Sequence, residues 1–85
     1  MTITIGSPVG KMYNAPFTPL LNWTHTLGPH AGDIGKVIRI FPIQSGPDLG
    51  EACAEVEFAA HNKYSRDPTL FRVAILVRNL VRVEL

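Results

Sequence analysis

Three histidines and one cysteine are the side chains in this sequence best suited to metal binding or nucleophilic chemistry. They are His25, His30, His61 and Cys53. A structural metal site needs several ligands in a closed geometry, but the turn-forming pair Gly28-Pro29 separates the first two histidines. Cys53 heads an apolar strand, where a buried, unreactive thiol is usual and a Cys–His nucleophilic pair would need a tertiary coincidence. We therefore predict no catalytic residue, no metal site and no cofactor.

Residues 6–12 have some features of a phosphate-binding loop. Two glycines, Gly6 and Gly10, precede Lys11. The phosphate-binding motif is one residue longer between its glycines, and it needs a Ser or Thr after the lysine to hold Mg²⁺. Met12 takes that position here. The segment therefore predicts a proline turn.

The charge content of the chain is low for its size. Charged residues make up 18% of the sequence, and the net charge is +1. A small protein has a large surface for its volume, so a content below the usual quarter or so favours contact of part of the surface with another chain. The alternative is a compact monomer whose surface is covered by Ser, Thr, Asn and Gly. A net charge this small does not by itself indicate binding to nucleic acid or to an anionic membrane.

The single Cys53 excludes an internal disulfide framework and fits a reducing compartment. The first residues contain no basic segment followed by a long apolar run, which a secretory signal would need. No run of about 18 apolar residues occurs that could span a bilayer. We predict a cytoplasmic protein.

The two parts of the chain differ in composition, and we expect them to form one domain. Residues 1–31 are rich in Pro, Gly, Thr and aromatic residues and poor in charge, which predicts a long structured loop. Short strands are predicted over residues 2–5 and, weakly, over residues 20–26. Residues 32–85 are predicted to form a β-barrel core.

Aromatic side chains in the loops are predicted to contact a protein partner. The four are Tyr13, Phe17, Trp23 and Tyr64. Aromatic residues bring large contact areas at a low entropic cost and dominate interface hot spots. The alternative is that they cover the barrel as a lid. The Pro-x-x-Pro segment, residues 16–19, could be displayed to an aromatic groove, but such segments more often stiffen a loop.

The C-terminal part has the two-residue period of half-buried strands. Strands are predicted over residues 36–43, 53–59, 70–76 and 81–85. In the second of these, Ala54, Val56 and Phe58 fall on one face, and Glu55 and Glu57 fall on the other.

The strands of the C-terminal part are interrupted at two points, and a helix is the alternative for its last segment. Pro42 predicts a bend or an edge position in the first of these strands, and residues 78–80 predict one 3₁₀ turn. A helix over residues 70–85 is the structural alternative, because the segment has no Gly or Pro, but its β-branched residues favour strands.

Three short motifs resemble the landmarks of an SH3-like small barrel. They are Gly32-x-x-Gly35-x-Val37, residues 55–58 and residues 77–83. In such barrels the glycines allow a sharp corner, and a late 3₁₀ turn brings the last strand back beside the first. The resemblance implies an all-β, five-stranded barrel or roll with a long N-terminal loop.

The same segments resemble two accessory barrels, the variable subunit of ferredoxin–thioredoxin reductase and the barrel of the nitrile hydratase β subunit. The residues shared with the latter are Gly35, Phe41-Pro42, Gly50-Glu51, Val56, Phe58 and Ala60. Both barrels attach to a catalytic partner, so the resemblance implies an accessory role. It transfers no site residue, because the shared positions belong to turns and core.

Basic residues on the predicted strands offer a second function, nucleic-acid binding by one face of a small barrel. The face would consist of Lys36, Arg39, Arg72 and Arg82. Glutamates on the same strands are expected to neutralise it.

We therefore predict a non-catalytic module that binds a protein partner or a second copy of itself. Nucleic-acid binding is the first alternative. The second alternative is a small oligomeric enzyme whose site is shared between subunits, as in the type II dihydrofolate reductases, which are SH3-like barrels. Their Val-Gln-x-Tyr strand motif is absent, so this activity is not transferred.

Overall fold

A computed structural model describes residues 2–24, 28–30, 32–60 and 69–84. This part of the chain contains six strands, and one 3₁₀ turn lies before the last. The elements are β1 (Pro8–Lys11), β2 (Thr18–Leu21), β3 (Ile34–Pro42), β4 (Ala52–Ala60), β5 (Thr69–Leu76), the 3₁₀ turn Val77–Asn79 and β6 (Leu80–Arg82). The all-β prediction is confirmed, with six strands where five were expected. No helix in the described ranges has the length or the hydropathy of a membrane-spanning segment.

The strands form one antiparallel sheet in the order β2-β5-β4-β3-β1-β6. The three longest strands, β3, β4 and β5, are neighbours in both sequence and space. The 3₁₀ turn redirects the chain after β5, so that β6 pairs with β1 at the other side of the sheet. The helix that was the alternative for residues 70–85 is therefore wrong, because the segment forms a strand, a 3₁₀ turn and a strand.

The alternation predicted for β4 is confirmed. Ala54, Val56 and Phe58 are buried, whereas the carboxylates of Glu55 and Glu57 lie on the opposite face. This two-residue period gives the sheet a core face and an outer face. We use "outer face" below for the side of β3, β4 and β5 that carries these two glutamates.

The core lies on the other face, and two stacked rings form its centre. Phe58 and Phe71 face each other with their ring centroids 5.7 Å apart and an interplanar angle of 21°. The remaining buried members of the cluster are Val9, Val37, Ala54, Val56, Val73, Ile75 and Leu80. Since Val9 is completely buried, the N-terminal segment shares this core.

The predicted strand over residues 2–5 is wrong, and of the proline turn predicted for residues 6–12 only the start forms, since Pro8–Lys11 is strand β1. Ser7 closes a turn instead, because its hydroxyl accepts a hydrogen bond from the Thr4 amide at 3.0 Å and its own amide donates to the Thr4 carbonyl at 3.0 Å. Gly6 has a φ of 90°, a left-handed conformation that glycine adopts without steric cost. The strand begins only after this turn, at Pro8.

The second N-terminal strand lies earlier than predicted. It covers Thr18–Leu21, where residues 20–26 were expected, and it pairs with β5 at one edge of the sheet. Asn22 has a φ of 58°, which ends the extended conformation. Residues 25 and 26 of the predicted strand lie outside the described residues. The edges of the sheet are β2 and β6.

Candidate functional site

The aromatic residues predicted as partner contacts have different environments. Tyr13 is 81% exposed. Phe17 and Trp23 are half-buried and pack against the core cluster. Their rings meet edge to face with centroids 5.7 Å apart, and the Trp23 indole N–H donates to the Gly28 carbonyl. Phe17 and Trp23 thus have the lid position weighed as the alternative, while Tyr64 lies outside the described residues.

The basic side chains predicted as a nucleic-acid face lie among carboxylates. Arg72 binds two of them, with its Nη1 3.2 Å from Glu55 Oε2 and its Nε 3.1 Å from Glu57 Oε2. Arg39 Nη2 lies 3.5 Å from the other oxygen of Glu55. Lys36 is exposed and stands directly across from Glu57 in the β3–β4 register. Each cation on this face therefore has an acidic neighbour.

The other two arginines in the described ranges also lie apart from a continuous basic surface. Arg82, on the edge strand β6, donates to the Thr2 carbonyl at 3.2 Å. Arg78 contacts Asp48 and Glu51 at 3.1 Å each. The four arginines in the described ranges are thus distributed over the sheet and the 3₁₀ turn, and acidic residues or backbone oxygens accept their hydrogen bonds.

The cysteine and the one described histidine have different environments. Cys53 is a buried free thiol. Burial raises its pKa, which the Ala54 amide and the Arg39 charge only partly counteract. His30 is exposed, and its backbone amide donates to the Asp33 carboxylate at 3.0 Å. His25 and His61 lie outside the described residues, and within the described ranges no three His, Cys, Asp or Glu side chains are grouped as metal ligands.

Lys11 has a structural partner where a phosphate loop would need a free ammonium. Its Nζ donates to the carbonyl oxygens of Met12 at 3.2 Å and Ala15 at 3.0 Å. The residues before it form the turn at Gly6 and strand β1. The ammonium therefore holds the chain between β1 and β2.

A groove that the sequence analysis did not identify opens at one end of the outer face. Its volume is about 390 Å³. Its lining consists of Gly6, Pro8, Ile34, Gly35, Lys36, Glu57, Phe58, Ala59 and Leu70. Apolar atoms dominate this lining, and one ammonium and one carboxylate border it.

Three of the apolar side chains that line the groove come from three neighbouring strands, β3, β4 and β5. Ala59 of β4 stands directly across from Leu70 of β5. The β3–β4 register, continued by two residues beyond the Lys36–Glu57 pair, places Ile34 of β3 opposite Ala59. Ala59 thus has Leu70 on one neighbouring strand and Ile34 on the other. We call Ile34, Ala59 and Leu70 the apolar row. Ile34 is 50% exposed and Leu70 is 49% exposed, which is high for large apolar side chains.

The apolar row had a partial signal in the sequence. The alternation of β4 assigned position 59 to the same face as Glu55 and Glu57, so an outward apolar residue could be predicted there. Its neighbours could not, because the strand partners and the register that join Ile34, Ala59 and Leu70 are set by pairing between distant segments.

A smaller depression of about 190 Å³ lies farther along the same face, over Cys53. Its apolar lining includes Phe17, Ile43, Ala74 and Leu76. Cys53 is buried at this depression although it lies in the same alternation as Glu55.

Comparison with known proteins gives no match for this chain among protein families, curated proteins or solved structures.

Proposed function

We propose that this protein is a non-catalytic, self-associating module that uses the outer face of its sheet. The observation that carries the proposal is the apolar row beside the 390 Å³ groove. An apolar cluster that crosses three strands is a surface that a protein contact would remove from water. The single ammonium and the single carboxylate at its border would set orientation.

The arrangement of strands supports an SH3-like assignment within this proposal. Five of the six strands follow the order β6-β1-β3-β4-β5, and the 3₁₀ turn stands directly before β6. This is the arrangement expected if the late turn brings the last strand beside the first. In this interpretation β2 is an addition supplied by the long segment between β1 and β3.

Protein contact is better supported than nucleic-acid binding. A nucleic-acid face needs cations that are free to contact phosphates. Arg39 and Arg72 contact Glu55 and Glu57 instead, so the positive potential of the face is reduced. An accessory role beside a different, catalytic chain would use the same apolar row, and it is the second candidate.

A reducing compartment such as the cytoplasm suits the proposed module. The support is the single cysteine of the chain, which is a buried free thiol. Reduced cysteines are usual where glutathione and thioredoxin act.

Sedimentation equilibrium over a concentration series tests the proposed function. We expect the average mass to rise with concentration from the 9.3 kDa of one chain towards that of a closed oligomer. A mass that stays at one chain up to high micromolar concentration would rule out self-association. A labelled duplex offered to the same samples should remain unbound at physiological salt.

A further inference from the structure

The outer face carries opposite charges on two neighbouring strands, in register. Lys36 of β3 stands across from Glu57 of β4, and Arg39 of β3 stands across from Glu55 of β4. Ile34 and Ala59 take the next outward position at the groove end of the same two strands. The basic and larger side chains thus belong to β3, and the acidic and smaller ones belong to β4.

This pattern is complementary to itself under one symmetry operation. Consider two copies whose outer faces lie against each other, related by a two-fold axis that lies between the two faces. The axis runs parallel to the strands and passes over the midline between β3 and β4. The axis brings β3 of one copy over β4 of the other. Lys36 then faces the second copy's Glu57, and Arg39 faces the second copy's Glu55, each pair occurring twice as an isologous interface requires.

The apolar positions match under the same operation. Ile34 of one copy falls over Ala59 of the other, and the reverse pair forms on the other side of the axis. A large side chain opposite a small one is the arrangement that lets two faces interdigitate. Since both residues line the groove, Ile34 of the second copy would enter it.

We infer that the occupant of the groove is a second copy of this chain, bound through the outer faces of β3 and β4 about this two-fold axis. The inference rests on the proposed function and adds the surface, the symmetry and the residue pairs. A different protein would have to supply an acidic row opposite β3 and a basic row opposite β4 at the same spacing. This chain already supplies both.

The intrachain contacts of the face are compatible with this interface. Glu55 and Glu57 are each held by Arg72, with N–O distances of 3.2 Å and 3.1 Å. The carboxylates are therefore already oriented before a second copy arrives, which lowers the entropic cost of pairing. A stable interface takes about 800 Å² from each partner, so the contact must extend from the groove along both strands.

Charge reversal with recombination tests the inference. The variants Lys36→Glu and Glu57→Lys should each weaken self-association by at least about tenfold, because each places like charges together twice. An equimolar mixture of the two should form a heterodimer, since one variant presents only glutamates and the other only lysines at these positions. The double variant Lys36→Glu/Glu57→Lys should dimerise like the original chain.

Two further variants keep the outcome clear. Arg82→Glu makes the same change of charge on β6, away from the interface, and should leave the dissociation constant unchanged. Ala59→Arg places a bulky cation under the second copy's Ile34 and should abolish dimers, with circular dichroism confirming that each variant is folded. It also tests the surface without altering Glu57, whose replacement removes the contact with Arg72.

The outcomes separate the two proposals. If the original chain is a monomer throughout, both the proposed function and this interface are rejected. If it dimerises but the two single reversals and Ala59→Arg dimerise equally well, self-association stands and this surface is rejected. If the two single reversals lose dimerisation and their equimolar mixture does not recover it, the two-fold arrangement is rejected.

Discussion

Gly35 of β3 lies against the core side chains of β4 more closely than any other amino acid would allow. A Cβ added at this position would lie 2.6 Å from Val56 Cγ1 and 2.8 Å from Phe58 Cε1. Both neighbours are buried and have little room to move. The glycine therefore lets β3 approach the Phe58 ring at the base of the groove.

We predict that Gly35→Ala lowers the free energy of unfolding by about 1–3 kcal/mol, the usual cost of overpacking a core. Urea denaturation followed by circular dichroism measures it. Gly10→Ala is the matched control, because an added Cβ there meets its nearest atom, the Asp33 carbonyl oxygen, at 3.4 Å, an ordinary contact. Equal stability of the two variants would contradict the close approach at Gly35.

The Cys53 thiol gives a prediction on pH. Burial raises the pKa of the thiol in the folded protein above the ordinary value of 9.0. The unfolded chain therefore loses its thiol proton at a lower pH than the folded protein does. The unfolded state then binds fewer protons, and the free energy of unfolding falls as pH rises above about 9. In Cys53→Ala the alkaline fall in the free energy of unfolding that is due to this thiol should be missing. Urea titrations of both proteins from neutral to alkaline pH should therefore show a difference in the free energy of unfolding that grows with pH. A constant difference would contradict the buried, neutral thiol.

At the scale of the element, the segment around β2 has a structural role. Phe17 and Trp23 flank this strand, meet edge to face and pack against the core cluster. Tyr13 precedes the strand and lies in solvent. The segment therefore covers one side of the core with two rings and leaves the third ring exposed.

We predict that Trp23→Ala lowers the free energy of unfolding by about 1.5–3 kcal/mol, below the cost for a fully buried tryptophan because Trp23 is half-buried. Tyr13→Ala is the control, and a change within about 0.5 kcal/mol is expected for this exposed position. Chemical denaturation monitored by far-ultraviolet circular dichroism gives both values. A larger loss for Tyr13→Ala than for Trp23→Ala would contradict the lid role.

At the scale of the whole molecule, association and stability should be linked. A chain of 85 residues buries a smaller fraction of its unfolded surface than a larger domain does, so a single core leaves it marginally stable. Dimerisation would add burial of the apolar row, and mass action would then make the folded state more stable at higher concentration.

We predict that the thermal midpoint rises by about 3–5 °C for each tenfold increase in protein concentration, from the linkage of folding to dimer formation and the unfolding entropy of a domain this size. Scanning calorimetry over a concentration series measures the shift. The midpoint of Ala59→Arg, which should not dimerise, should not vary with concentration, and the same slope in both proteins would argue against a dimer held by this face.

The candidate site could be predicted only in part. The sequence suggested aromatic contacts, and the structure has Phe17 and Trp23 against the core and Tyr13 in solvent. The apolar row was missed because its three members come from three strands. The alternation of β4 could place Ala59 outward, but the three residues become a surface only when the strands pair.

What the sequence alone determined is local. The alternation of Ala54, Val56 and Phe58 with Glu55 and Glu57 assigns each side chain of β4 to a face, because successive residues of a strand point to opposite sides. Strand β5 could be predicted in the same local way, from its β-branched residues. The 3₁₀ turn after it could also be predicted from the adjacent residues.

Only the tertiary structure decided which strands are neighbours. The insertion of β1 between β3 and β6 depends on hydrogen bonds between distant residues, such as the Val37 amide to the Ser7 carbonyl at 3.1 Å. No local propensity encodes that choice, because it is made by the burial of Val9 in a common core. The pairing of β3 with β4 likewise brings Lys36 to Glu57, and this register gives the outer face its self-complementary pattern.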